Sequence, residues 1–165
     1  MQGSISISPI YGVPDINAGD NLAIIIGDCL ERAFNKLIDG DIICIAHKIF
    51  SKAEGNTYHL KDILPSEEAI SFAKKLNKDP RKVEVILSQS KRVIRAFKRE
   101  DQNEGVMICE HHLGFISANA AVDESNVRGN EKVITLPEDP DLSSYNLQVE
   151  LQNRFKVRLG VVMTD

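Results

Sequence analysis

Residues 41–46, Asp-Ile-Ile-Cys-Ile-Ala, place an almost unbroken β-branched apolar run directly behind the turn signal Asp39-Gly40. Such a run reads as a strand buried on both faces, and a strand of that kind must be covered by other elements. Helical segments able to cover it lie on either side. Asp20 is placed to cap a helix carrying Leu22, Ile25, Ile26, Cys29, Leu30, Ala33 and Leu37 on one face. Ser66 can cap a second helix through Leu76, and Asp79-Pro80 opens a third that runs to about Gln89.

The second half is richer in strands. Val106–Cys109 and Leu113–Ser117 flank Glu110–His112 as the arms of a hairpin, and Val133–Leu136 is a further strand. A Pro137–Pro140 loop leads into a helix near Leu142–Phe155, and Leu159–Met163 is a last apolar strand. At the other end, Ile5 and Ile7 alternate with serines as a short strand before a Pro9–Pro14 loop. The elements interleave irregularly, so the expected class is α+β, a mixed sheet with flanking helices.

The chain has 165 residues, enough for one substantial domain, and no repeat or low-complexity linker divides it. At 42% hydrophobic and 27% charged, its composition excludes a disordered or fibrous chain. Leu22–Ile26 is typical of its longest apolar runs and far too short to cross a bilayer. Met1–Ser8 lacks the basic segment and apolar core of a secretion signal, so a cytoplasmic location without membrane attachment is expected.

The net charge of −4 argues against nucleic acid as a partner. Charge is nevertheless uneven: Lys74–Arg99 holds ten cations against two acids, so that stretch is +8 and the remainder −12. Solvated helix faces explain this, and so does a surface that attracts a small polyanion. Cys29, Cys44 and Cys109 are widely spaced in apolar contexts and read as small buried side chains, without a disulfide framework or a CxxC motif. His111 and His112 are adjacent, so in a strand they face opposite ways and cannot chelate one zinc ion together.

Four loops hold the residues suited to chemistry. His47-Lys48-Ile49-Phe50-Ser51-Lys52-Ala53-Glu54-Gly55 follows the apolar strand with two lysines, a serine and a glycine. That is either an anion cradle or an ordinary exit from a strand; the Walker spacing is absent. Ala118–Asn126 gathers the oxygen donors Asp123, Ser125 and Asn126, which suit magnesium and equally suit an Asx-type turn. Thr164-Asp165 lies beyond the last strand, where ligand-binding residues concentrate in α/β sheets. Tyr11-Gly12-Val13-Pro14 is a rigid turn whose backbone is able to border a ligand.

In order and spacing these motifs resemble the F420-0:γ-glutamyl ligase family over essentially the whole chain. The family's Gly-(Leu/Val)-Pro turn resembles Gly12-Val13-Pro14, and its Ser-Lys-Ala-Glu-Gly is found unaltered at Ser51–Gly55. Its Ala-Asn-Ala-Gly-(Ile/Val)-Asp-x-Ser-Asn signature resembles Ala118–Asn126. Its Leu-Pro-x-Asp-Pro-Asp loop, helix and strand ending in Thr-Asp resemble Leu136–Asp165. The resemblance implies the N-terminal part of the γ-glutamyl ligase fold. It also implies an enzyme of F420 biosynthesis that joins L-glutamate to coenzyme F420-0 through an acyl-phosphate. GTP is the implied co-substrate, with Mg2+ or Mn2+ and K+ as cofactors and a homodimer as the assembly. Carried over by position, Asp123 and Asp165 would hold the divalent ion. Gly12, Val13, Pro14, His47, Lys48, Lys52 and Asn126 would line the nucleotide site. No residue is assigned as catalytic.

Two departures stand out. Ala121 occupies a position where the family usually has glycine, which crowds the loop if its backbone requires positive φ. The family's pattern also continues beyond Thr-Asp with a second segment that completes both sites. The expectation is therefore an N-terminal portion, weakly active or inactive alone, and either a truncated ligase or one subunit of a split ligase with a complementary C-terminal partner. A non-catalytic nucleotide-binding or regulatory module is the alternative.

Overall fold

The computed structural model describes residues 5–34, 36–124 and 131–164. In chain order the elements are α1 (Leu22–Ala33), β1 (Ile42–Ala46), α2 (His47–Ala53), β2 (Thr57–His59), α3 (Glu67–Leu76) and α4 (Pro80–Ser88). They continue with β3 (Ser90–Phe97), β4 (Val106–His111), β5 (Ile116–Ala118), β6 (Lys132–Ile134), α5 (Pro140–Phe155) and β7 (Gly160–Thr164). The class is α+β, with the described strands in three small sheets. No helix among the described residues is long and apolar enough to cross a membrane. The chain divides into two compact units: residues 1–55 with 137–165, and residues 56–136.

In the first unit β1 and β7 pair in parallel, Ile42 opposite Gly160 and Ala46 opposite Thr164. Ile43 and Ile45 point into a core built with Ile26, Leu30, Phe50, Leu147 and Leu151. The other face of β1 is not buried as expected. Ile42 is 64% exposed and Val162 on β7 is 44% exposed, because this two-stranded sheet is covered on one side only. Cys44 shares the open face, so of the three cysteines only Cys29 and Cys109 are buried.

The start of α1 lies one residue later than expected. The Asn21 side chain accepts from the Ile24 amide at 3.0 Å, whereas the Asp20 carboxylate accepts from Asn17 N–H at 2.8 Å in the preceding turn. The helix also ends at Ala33, and Leu37 reaches the same core from the following loop. Asp139 caps α5 by accepting from Leu142 N–H at 2.9 Å, with Pro140 in its first turn. Arg154 on α5 ties it to α1, its guanidinium 2.6 Å from Asp28 and 2.9 Å from Glu31. Gly27 makes that approach possible, since a Cβ there would collide with the guanidinium.

Ile5 and Ile7 do not form a strand; they are 93% and 92% exposed, and no described strand pairs with them. Alternation without a partner ladder leaves the backbone to water.

In the second unit α3 and α4 pack their apolar faces with β4 around Ala69, Leu76, Val83, Ile86, Met107 and Cys109. Ser66 caps α3 by accepting from Ala69 N–H at 3.2 Å, and Asp79 caps α4 by accepting from Arg81 N–H at 2.8 Å, as their sequence signals indicate. The expected hairpin is present as the antiparallel pair β4–β5. Leu113, expected to open the second arm, instead lies with His112 in the turn, which Gly114 N–H closes by donating to the His111 carbonyl at 2.9 Å. β3, which sequence reading missed, adds to the same sheet antiparallel to β4. β2 and β6 form a separate antiparallel ribbon, Tyr58 opposite Val133.

Candidate functional site

Residues 47–53, expected as a loop, are the helix α2 that leaves β1 directly. The register explains it. His47, Phe50 and Ser51 recur at helical spacing and are all buried, Phe50 joining the core of the first unit. Burying Phe50 contributes about 2–3 kcal/mol, enough to draw a short segment into helix. Lys48 and Lys52, four residues apart, share another face and are half-buried. His47 is 2% exposed, with Nδ1 3.4 Å from Ser51 Oγ, while Ser51 Oγ donates to the His47 carbonyl at 3.0 Å. Gly55 follows the helix at φ +82°, a left-handed turn that glycine adopts without strain.

The Gly12-Val13-Pro14 turn is built against the same core. Val13 packs on it, and Gly12 has φ +80°. The Gly12 carbonyl accepts from Cys29 Sγ at 3.5 Å, and Arg32 in turn donates to that sulfur at 3.1 Å. Downstream, Gly19 N–H donates to the Ala53 carbonyl at 2.8 Å, fastening the loop to the end of α2. The first unit thus supports Gly12–Pro14, His47, Lys48 and Lys52 on one scaffold.

The first unit also contains a cleft of about 250 Å3, rimmed by Asp20, Asn21, Glu54, Asn146 and Glu150. Phe50, Ala53 and Glu54 of the 47–55 motif line it, but Gly12–Pro14, His47, Lys48, Lys52 and Asp123 do not. Its three carboxylates would repel a polyphosphate, so it is not a candidate for the phosphate groups.

Asp123 belongs to the second unit, where its backbone is fixed twice. Its N–H donates to the Ile134 carbonyl at 2.9 Å, and its carbonyl accepts from Ile134 N–H at 2.8 Å. Just before it, Asn119, Ala120 and Ala121 have φ of 51°, 50° and 56°, three consecutive left-handed residues without a glycine. Each such conformation costs an L-residue roughly 1–2 kcal/mol. The turn is held by Asn119 Oδ1 accepting from Met107 N–H at 3.2 Å, and by Ala120, 1% exposed in the core. The concern raised by Ala121 is therefore real: its backbone occupies the region that favours glycine.

Sequence reading missed the partner of the residue after Asp123. Lys82 on α4, only 6% exposed, places its ammonium 2.8 Å from Glu124 and 3.2 Å from Glu104. Burial works against the charged amine, but the hydrogen bonds to Glu124 and Glu104 prevail and hold its pKa above the ordinary lysine value. Lys82 lies in the basic stretch, and the signal available was a cation at an apolar-phase position between Arg81 and Val83. That stretch is thus only partly a solvated surface. Lys78 pairs with Glu104 at 2.9 Å with its side chain 5% exposed, and Lys91 and Arg92 clamp Glu110 at 3.1 and 2.6 Å.

Asn126 and Asp165 lie outside the described residues, so nothing is assigned to them from the structure. Among the described residues no group of three or more His, Cys, Asp or Glu side chains gathers as a metal cage. Magnesium and manganese at a phosphate site need only one or two carboxylates beside phosphate and water oxygens, and Asp123 is a hard oxygen donor of that kind.

Residues 12–165 match the family described as F420-0:gamma-glutamyl ligase. Coenzyme F420:L-glutamate ligase of Methanothermobacter thermautotrophicus is 40% identical, covering 98% of this chain and 61% of the relative. The protein of the same name from Methanopyrus kandleri is 38% identical, covering 98% and 60%. That from Methanocaldococcus jannaschii is 40% identical over 77% of this chain and 48% of the relative. The chain thus spans about half to three-fifths of the length of these curated relatives. With the family matched from Gly12 to the last residue of the sequence, the chain belongs to the F420-0:γ-glutamyl ligase family.

Proposed function

We propose that this chain supplies nucleotide- and metal-binding residues to a GTP-dependent ligase that joins L-glutamate to coenzyme F420-0. The observation that carries the reading is the family match over residues 12–165, which includes both the intact Ser51–Gly55 motif and the Asp123 signature. In the reaction, an oxygen of the F420-0 carboxylate attacks the γ-phosphorus of GTP and GDP leaves. The amine of L-glutamate then attacks the acyl carbon, phosphate departs with the bridging oxygen, and an amide bond remains after the amine loses a proton.

The residues divide this work by chemistry. Lys48 and Lys52, on one face of α2, offset phosphate charge, and the Gly12–Pro14 turn borders the nucleotide with its backbone. His47 supports the lysines from within by packing the helix onto its core. Asp123 holds the divalent ion, with Asn126 and Asp165 assigned to the nucleotide and the metal by resemblance. A bound Mg2+ or Mn2+ supplies charge neutralisation at the transferring phosphoryl group. K+ and a homodimer or complementary subunit belong to the same proposal.

Titration calorimetry with Mn2+ and GTP tests the reading. The expected outcome is nucleotide binding that requires the divalent ion and is lost in Asp123→Asn while far-UV circular dichroism is unchanged. An identical isotherm for Asp123→Asn would refute the metal assignment. In any preparation that turns over, 18O placed in the acceptor carboxylate is expected in the released phosphate, detected by mass spectrometry.

A further inference from the structure

We propose that Lys82 is a positioning residue for the metal loop: clamped between Glu104 and Glu124, it anchors the chain one residue beyond Asp123. This inference rests on the reading of Asp123 as a ligand of the divalent ion.

The geometry surrounds Asp123 with constraints on both sides. Upstream, the left-handed turn Asn119–Ala121 is closed by Val122 N–H donating to the Asn119 carbonyl at 3.0 Å. At Asp123 itself, the two hydrogen bonds with Ile134 fix the backbone to β6. Downstream, Glu124 Oε1 lies 2.8 Å from Lys82 Nζ. Lys82 is itself packed and doubly paired: its side chain is 7% exposed and bonded also to Glu104.

The arrangement is not explained by stability alone. Taking an ammonium out of water costs several kcal/mol, and apolar replacements of buried ion pairs are often neutral or stabilising. Glu104 does not need Lys82 for neutralisation, because Lys78 already pairs with it at 2.9 Å. What Lys82 alone provides among these described ion pairs is a fixed point for Glu124, whose side chain is 50% exposed. Left in water, a carboxylate that exposed would be free to sample many positions, and the loop at Asp123 would keep its two Ile134 hydrogen bonds but lose this downstream anchor. Groups that orient a metal ligand typically contribute 10–100-fold to metal affinity.

Lys82→Met separates positioning from simple electrostatics, since the two predict opposite signs. Removing a cation close to a dication site should tighten metal binding through space. Loss of an anchor should weaken it. The variant keeps the aliphatic volume, leaves Glu104 paired with Lys78, and strands Glu124 only at a half-exposed position. In Mn2+–GTP titrations we expect Lys82→Met to bind about ten-fold or more weakly, with Lys82→Arg retaining most of the affinity. Far-UV circular dichroism and thermal melting confirm that the fold persists. If Lys82→Met does not fold, Glu124→Gln is compared with the parent chain at high salt, where through-space charge effects are screened and a positional one is not. Weaker binding there supports the anchor, and equal binding overturns it.

Equal or tighter binding by folded Lys82→Met likewise overturns the proposal while Asp123→Asn still abolishes binding. If Asp123→Asn binds normally, or the parent chain shows no Mn2+–GTP isotherm, the metal reading falls and the inference falls with it.

Discussion

Among single residues, Ala121 shows most directly how sequence, backbone and site are connected. Its φ of 56° lies in the left-handed region, and its methyl group makes that conformation costly where glycine would adopt it freely. Ala121→Gly is therefore expected to stabilise the second unit by about 1 kcal/mol, raising the urea midpoint of unfolding. A lower midpoint would sink the strain argument. Ala120 is the internal comparison, because it has φ 50° but is 1% exposed in the core. There the relief of strain is offset by loss of a buried methyl, so Ala120→Gly should gain less. Strain of this kind persists where surrounding contacts over-determine it, and such places cluster at functional sites. The turn leads straight into Asp123, which is why the departure at Ala121 bears on the site rather than only on stability.

At the level of elements, the caps of α3 and α4 were legible because they are local, whereas α1 is capped by Asn21 in place of the expected Asp20. Ser66 and Asp79-Pro80 need no knowledge of the fold to start α3 and α4. Elements decided by tertiary contacts were not legible in the same way. α2 is seven residues long, too short to be stable in isolation, and is held by burial of Phe50 and His47. β3 places Lys91, Arg92 and Arg95 among its apolar residues and breaks register twice against β4, so its alternation is hidden. The open face of β1 depends on which strands lie beside it, which a six-residue run does not encode. The β4–β5 hairpin was legible, but the chemistry of its turn was not. Leu113 N–H donates to His111 Nδ1 at 3.0 Å, and the ring stacks on Phe115 with centroids 4.9 Å apart. The turn thus requires neutral His111, 4% exposed, and burial followed by the neighbouring His112 lowers its pKa from the ordinary 6.5. In the unfolded chain this histidine takes up a proton near pH 6.5, whereas in the folded chain it does so only at lower pH. Stability from this group is therefore present above 6.5 and declines as pH falls towards the folded pKa. The urea midpoint should drop on going from about pH 7.5 to about pH 5, and His111→Asn should reduce that drop. An equal decline in both proteins would remove His111 as its source.

Across the whole molecule, the three cysteines offer one test of how both units are packed. Composition alone places all three in apolar surroundings, and only pairing and layering separate them. Cys44 faces outward on β1 opposite Val162, whereas Cys29 is buried in the first unit at 1% exposure and Cys109 in the second at 0%. Reactivity follows the thiolate and its access to solvent, so the structure predicts one fast thiol and two protected ones. Burial, the leading cause, also raises the Cys109 pKa despite hydrogen bonds from Ser90 and Ala120, which lowers its thiolate fraction further. A brief treatment of the native protein with a small alkylating reagent near neutral pH should label Cys44, with peptide mapping by mass spectrometry assigning the site. Cys29 and Cys109 should be labelled only when denaturant is added, each reporting the opening of its own unit. Rapid native labelling of Cys109 would contradict the core formed by α3, α4 and β4, the same core that buries Ala120. Rapid labelling of Cys29 would contradict the packing that seats the Gly12 turn. Protection of Cys44 would instead show that something covers the open face of β1 and β7 in solution.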